Sequence, residues 1–294
     1  MDAADLKVFE AVARLGGMNR AAAELNTVQS NVTARVRLLE GELGTPLFHR
    51  HSRGVALTAA GQRLLPYAER MAQLLADARR ATTDDGTPRG RLVIGSLETT
   101  AAMRLSPLLS SYAATWPEVD MALRTGTTGE LVEHVVNHRL EGAFVCGPVD
   151  HPDLQAEVMF REELVLATMR GVRTLDELIG RGELKIVVLR AGCSYRQRLE
   201  DILARRGAVG VRLLEFGTIE AILGCAAAGL GVTLLPRALV AASRHAERIA
   251  MHALPVHEAR VETLFIRHRE GYASSALTVF LEHVRPPLMQ VAAE

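Results

Sequence analysis

Over residues 1 to about 57, apolar positions recur at the three- and four-residue spacing of short helices, punctuated by Gly and Pro. Leu6, Phe9, Val12 and Ala13 form a stripe on a first helix that stops at Gly16 and Gly17, and Asn19 is placed to cap a second helix over 20–25. Thr27 is placed to cap a third. On it Val28, Val32, Val36 and Leu39 cluster on one side at 100° per residue and are expected to be buried. Ser30, Thr33 and Arg37 fall opposite, with Gln29 and Asn31 on the first turn and Arg35 on the flank. The stretch TPLFHRHSRGVALT then predicts a small hairpin turning at Ser52, Arg53 and Gly54. From Thr58, a suitable cap, one long helical pattern runs to residue 83, with Pro66 expected to kink it near Leu65.

After the linker-like DDGTPRG (84–90) the texture changes. Short apolar runs at 91–96, 119–126, 142–147, 164–169, 185–190 and 232–236 alternate with stretches of helical period. That rhythm predicts an α/β fold with mainly parallel sheet behind a mainly α N-terminal segment. No internal repeat or low-complexity segment interrupts it.

Composition narrows the classes. At 294 residues, 48% hydrophobic and 23% charged, the chain is long enough for two or three domains of an ordinary globular protein. No apolar run approaches the roughly 20 residues of a membrane span, and the start MDAADLKVFE lacks the form of a secretory signal, so the expected location is cytoplasmic. Cys146, Cys193 and Cys225 are too widely spaced for a disulfide framework or a CxxC metal site. HExxH, GxSxG, Walker and dinucleotide fingerprints are all missing, so no catalytic, metal or cofactor residue is assigned. The formal net charge is zero, which means any footprint for nucleic acid must be local.

The third helix supplies such a footprint. Amides, hydroxyls and guanidinium groups at the N-terminal turn of the second helix of a helix-turn-helix are what read purine edges in a major groove. The competing reading is a polar face that is merely solvated. The hairpin favours recognition, since it presents Arg50, His51 and Arg53 as a wing toward phosphate or a minor groove. Cations are few, so affinity should depend on a dimer doubling them. Leu64, Tyr67, Met71, Leu74, Ala78 and Ala81 follow a 3-4-3-4-3 spacing along the long helix, a coiled-coil seam for dimerisation; the same stripe could instead pack on its own domain.

In the α/β half, three strand ends lead into helices through small polar residues. They are Ser96 with Glu98, Thr99 and Thr100; Thr125 to Gly129, including Thr127 and Thr128; and Gly192 with Cys193, Ser194 and Tyr195. Ligands of open α/β sheets bind outside such ends, and free helix N–H groups favour an anion, so a small effector, acidic in character, is expected there. For Thr99 or Thr128 alone an ordinary helix cap is the alternative. Glu98 opposes an anion unless it faces outward or meets a cationic group. Glu215, Phe216, Gly217 and Thr218 sit at a further junction that would border the same cleft. Cys193, with Arg190, Arg196 and Arg198 nearby in sequence, is either a redox-sensing thiol or a small lining side chain; Cys146 and Cys225 read as core.

RAAAELN, the Gln29 helix, LLEGELGTPLF, HRHSRGVALT and the TAAG opening of the long helix resemble the N-terminal region of LysR-type transcriptional regulators, and the likeness extends over the whole chain. The resemblance implies a winged helix-turn-helix at 1–57, a linker helix and hinge at 58–88, and an effector-binding domain of periplasmic-binding-protein type at 89–294. That domain would comprise one α/β subdomain of 89–161 with 267–294 and another of 162–266. It implies double-stranded DNA with an interrupted palindrome as partner, a small-molecule effector, and a homodimer pairing into a tetramer. By position, Gln29, Ser30, Asn31, Thr33 and Arg35 would read DNA, with Arg50 and Arg53 on the wing. The family commonly begins its reading helix with Ser-Gln-Pro, where this chain has Val28, Gln29 and Ser30, so first-turn contacts would differ. A redox-responsive factor acting through Cys193 is the alternative within the class, and a solute-binding or enzymatic α/β protein the alternative outside it.

Overall fold

Asp2 and Asp5 cap each other at the start of the chain: each carboxylate accepts the other's backbone N–H, at 2.8 and 3.2 Å, and so begins α1 (Ala3–Leu15). The computed structural model describes residues 1–51, 54–180, 184–208 and 210–285. These form two units, Met1–Asp85 with Asn137–Arg139, and Gly86–Val136 with Leu140–Glu294.

In the first unit α2 (Met18–Glu24) starts from Gly17, not from the expected Asn19 cap. Gly17 is extended and already supplies the non-helical entry residue, so Asn19 lies inside the helix. α3 (Gln29–Leu43) likewise has no side-chain cap, and the Thr27 hydroxyl instead accepts from Asn31 Nδ2 at 2.9 Å. Val28 departs from its expected burial. It is the extended cap residue, at φ −96° and ψ 149°, and is 65% exposed, because helical periodicity stops applying one residue before Gln29. Val32, Val36 and Leu39 are buried as the spacing predicts, against Leu6, Phe9 and Val12 of α1 and against Phe48, whose ring centroid lies 5.3 Å from that of Phe9.

β1 (Phe48–His51) and β2 (Gly54–Leu57) form an antiparallel hairpin with Phe48 opposite Leu57. Thr58 then caps α4 (Ala59–Thr83), accepting the Gly61 N–H at 3.1 Å and donating to the Pro46 carbonyl at 2.7 Å. A Cβ on Gly61 would sit 2.3 Å from the Leu47 carbonyl oxygen, so only glycine allows the long helix to start against the base of the hairpin. α4 continues through Pro66 without interruption.

The second unit runs β3 (Gly90–Ser96), α5 (Glu98–Thr100), a π-helical turn (Ala101–Leu105), α6 (Ser106–Thr115), β4 (Val119–Thr125), α7 (Thr128–Val136), β5 (Gly142–Cys146) and β6 (Leu154–Met169). There follow α8 (Leu175–Ile179), β7 (Lys185–Val188), α9 (Ser194–Arg205), β8 (Arg212–Glu215), α10 (Ile219–Ala227), β9 (Thr233–Pro236) and α11 (Arg237–Ala241). β10 (Ile249–Ala253), α12 (Val256–Ala259), β11 (Arg260–His268) and α13 (Ser275–Val284) complete it.

Its main sheet has the order β10-β6-β11-β5-β3-β4 with β9 also on β6, while β7 and β8 pair separately. The expectation of mainly parallel sheet is corrected here. β3 is parallel to β4 and β5, and β7 to β8, but β11 runs antiparallel to β5 and β6, and β6 antiparallel to β9 and β10. β6 is the source of the difference. It spans 16 residues, of which only the last part is the buried apolar run; its first half mixes exposed Ala156, Glu157, Val158 and Arg161 with buried Leu154 and Met159, and pairs antiparallel with β11. One core lies around Ile94, Tyr112, Phe144, Phe265 and Phe280, with the Tyr112 hydroxyl donating to Ala276 O at 2.8 Å. Another gathers Val165, Val187, Leu199, Ile222 and Leu235. Beside it the buried Glu258 of α12 accepts from Arg205 and Arg206 of the α9 terminus, both at 2.9 Å. Among the described residues no helix is long and apolar enough to cross a membrane.

Candidate functional site

Two places bring the sequence-predicted residues together. The first is the exposed start of α3. Gln29, Ser30 and Asn31 are exposed and Thr33 is half-buried beside them. Gln29 Nε2 donates to Thr33 Oγ1 at 3.0 Å, which fixes its amide one turn along the helix and leaves the amide oxygen outward. Arg35 behaves differently. Its Nη1 donates to Asp5 Oδ1 at 2.9 Å, and Asp5 is buried, so this guanidinium ties α3 to α1. Val28 adds an exposed apolar side chain ahead of the amides, of the kind that meets a thymine methyl. On the hairpin, His51 is exposed and stacks with His49, their centroids 6.4 Å apart. Arg50 occupies β1 opposite Val55, with its side chain outside what is described, and Arg53 lies outside the described residues altogether.

The long-helix stripe divides. Leu64 and Met71 are half-buried against the core of the first unit, whereas Tyr67 and Leu74 are 71% and 64% exposed and Ala78 is exposed as well.

The second place is a cavity of about 170 Å³ in the second unit. Its wall comes from four strand-to-helix junctions: Leu97, Glu98 and Thr99 after β3; Thr125 at the end of β4 with Gly126 and Thr127 beyond it; Leu189, Arg190, Cys193, Ser194 and Tyr195 after β7; Phe216 and Gly217 after β8. Gly192, at φ +88°, lets the third junction lie against the second, since a Cβ there would be 3.1 Å from Thr127 Oγ1. Of the predicted effector residues, Ser96, Thr100 and Thr128 stand behind this wall. Ser96 is wholly buried with its hydroxyl on Leu97 O at 3.0 Å, and Thr100 is buried under the first helical turn. Thr128 Oγ1 lies 3.0 Å from Ser194 Oγ and accepts the Cys146 N–H at 3.3 Å, a brace between the starts of α7 and α9. Leu97 and Leu189 also line the cavity; an apolar residue immediately after a strand and before a polar turn is the signal that marks them.

The electrostatics of the wall are specific. Glu130 Oε2 accepts the Thr127 N–H at 2.8 Å and the Arg190 Nη2 at 3.0 Å, and these donors hold its carboxyl below the usual carboxylate range against the opposing effect of desolvation. Burial pushes the Tyr195 hydroxyl well above its ordinary value, so it stays a neutral hydrogen-bonding group. The Cys146 thiol is also pushed up by burial, which disfavours the reactive thiolate. Cys193 is half-buried and is the cap residue of α9, its carbonyl accepting the Gln197 N–H at 3.3 Å. Cys225 is half-buried against the core.

A helix tip offered outward and a polar cavity at strand ends define a DNA-binding regulator with an attached effector-binding domain. Residues 3–62 match the family described as "Bacterial regulatory helix-turn-helix protein, lysR family", and residues 85–287 match "LysR substrate binding domain". Over 280 residues, 95% of each chain, the sequence is 42% identical to the HTH-type transcriptional regulator GltR of Bacillus subtilis. It is 40% identical over 285 residues to the HTH-type transcriptional regulator YofA of Bacillus velezensis, covering 97% of this chain and 98% of that one. Among solved structures it is similar to full-length CbnR complexed with its target DNA, with a TM-score of 0.65, 26% identity, and coverage of 97% and 99%. A full-length, singly substituted OxyR from Pseudomonas aeruginosa shares the fold at a TM-score of 0.70 and 18% identity, covering 97% and 93%. The protein belongs to the LysR family of transcriptional regulators, and its function is DNA-binding transcriptional regulation through a helix-turn-helix and an effector-binding domain.

Proposed function

We propose that Gln29, Ser30, Asn31 and Thr33 read base edges in a major groove, that Arg50 and Arg53 of the hairpin contact the backbone, and that a small-molecule effector occupies the cavity among Glu98, Thr99, Thr127, Ser194 and Tyr195. The observation that carries the reading is the convergence of four strand-to-helix junctions, distant in sequence, on one polar cavity. A dimer zipped through Tyr67, Leu74 and Ala78, the exposed part of the α4 stripe, would set two reading helices on half-sites one helical turn or a multiple apart. Effector binding need contribute only about 1–3 kcal/mol of coupling to change promoter occupancy. The protein would act in the cytoplasm, where its DNA is.

The test is binding to the DNA upstream of the protein's own gene, with Leu74→Glu as the probe of the dimer. A charge placed in the seam should cost association about 2 kcal/mol or more. Sedimentation should then report monomers, and a footprint spanning two half-sites should shrink and weaken. A wild-type protein that sediments as a monomer and binds one half-site with full affinity would refute the dimeric reading.

A further inference from the structure

Resting on the reading of the cavity as the effector site, we propose that the effector is an amino-acid-like molecule, its protonated amine held by Glu98 and its carboxylate turned toward the start of α9.

Two charged side chains line the cavity, and they are not equivalent. Arg190 is already committed, its guanidinium 3.0 Å from Glu130 Oε2, so the pair offers little net charge to a ligand. Arg196, at the same end of α9, is likewise held by Glu200 at 3.1 Å and Glu215 at 3.0 Å. Glu98 is half-buried in the wall, receives one long hydrogen bond from the Ile219 N–H at 3.4 Å, and makes no ion pair among the described residues. An anion alone would have to approach that carboxylate. A ligand bringing its own cation would gain from it, because charge-assisted hydrogen bonds strengthen where water is excluded.

The opposite side of the cavity asks for the complementary group. α9 is a 12-residue helix that opens with no side-chain cap, and Cys193 and Ser194 at its start line the cavity. First-turn N–H groups without a capping side chain take an anionic or carbonyl oxygen, and the Ser194 hydroxyl retains hydrogen-bonding capacity beyond its contact with Thr128. Between the two polar ends, Leu97 and Phe216 supply apolar surface for a short carbon skeleton. A purely cationic ligand would leave the α9 end unmet, and a purely anionic one would leave Glu98 unmet.

The experiment titrates full-length protein with the standard L-amino acids and with the matched 2-oxo acids that lack only the amine, such as 2-oxoglutarate for glutamate and phenylpyruvate for phenylalanine. Melting shift gives the screen and calorimetry the affinity. The expected result is binding by at least one amino acid, with its oxo partner about tenfold weaker. Glu98→Gln should weaken the amino acid by a similar factor and Glu98→Asp by less, while Glu98→Gln should leave the oxo acid no weaker and should tighten it if anything, because a like charge is removed. If no amino acid binds at millimolar concentration, the inference is overturned. It is equally overturned, with the cavity reading intact, if oxo acids bind as well as amino acids, Glu98→Gln leaves them unchanged and Phe216→Ala weakens both. A binder indifferent to Glu98→Gln and Phe216→Ala alike would overturn the cavity reading itself.

Discussion

The first unit turns its proposed recognition groups outward and the second turns them inward. Gln29, Ser30 and Asn31 project from one exposed helical turn, whose apolar partners Val32, Val36 and Leu39 are the core beneath. The cavity proposed for the effector has no such division, since Tyr195 and Thr127 line it while being buried. Recognition and stability are therefore separable in the first unit and shared in the second. A reading helix can change its outer residues without cost to folding, whereas each change in the cavity wall also tests the packing around it.

The largest effect should come from crossing that division. Phe9→Ala removes a fully buried ring from beside Phe48 and should destabilise the first unit by about 3–5 kcal/mol. DNA binding should be lost and the first unfolding transition in urea should move to lower denaturant, while the second unit's transition stays in place. A common shift of both would show that the two units unfold as one.

A smaller effect separates two neighbours on α3. Gln29→Ala should cost about 1–3 kcal/mol in affinity for the cognate DNA and leave melting unchanged. Arg35→Ala should instead lower melting by about 1 kcal/mol in stability, because it removes the ion-pair partner of the buried Asp5 carboxylate and leaves it only the Asp2 N–H. If Arg35→Ala left melting untouched and relaxed sequence preference, Arg35 would belong with the base readers.

The smallest effect is a pH dependence in the second unit. Burial works against the charge on Glu258, yet Arg206 and Arg205 outweigh it and hold the carboxyl below its ordinary 4.5. A depressed folded-state value means that the stabilisation is complete above 4.5 and is lost as pH falls through the lower value. Glu258→Gln should flatten the acid limb of the urea midpoint by less than about 1 kcal/mol, since the partners are partly solvated. An acid limb identical in the variant would assign it to other carboxylates.

Local elements were legible in the sequence wherever one short stretch decides them. Thr58 begins α4 as its position predicts, β1 and β2 pair as a hairpin with Gly54 already in β2 and Ser52 and Arg53 outside the described residues, and Val32, Val36 and Leu39 fall inside. Val28 shows the limit, because periodicity cannot tell the last residue before a helix from the first one in it. β10 and β11 escaped, and β6 was seen only in its final third, because their mixed polar and apolar residues carry no continuous run; their place in the sheet depends on partners a hundred residues away. The cavity was half legible for the same reason. Small polar residues at strand ends located Thr99, Thr127 and Ser194, but period-two alternation hides Ser96, and nothing local reveals that Thr128 is a brace.

The missing side chain at Gly61 has a mechanical meaning. With the α4 backbone seated directly on the Leu47 carbonyl, and Thr58 clasping Pro46 from the same turn, there is no compressible layer between rod and wing. A twist applied to the rod would be passed to the base of the hairpin through backbone, much as a key turns with its shank.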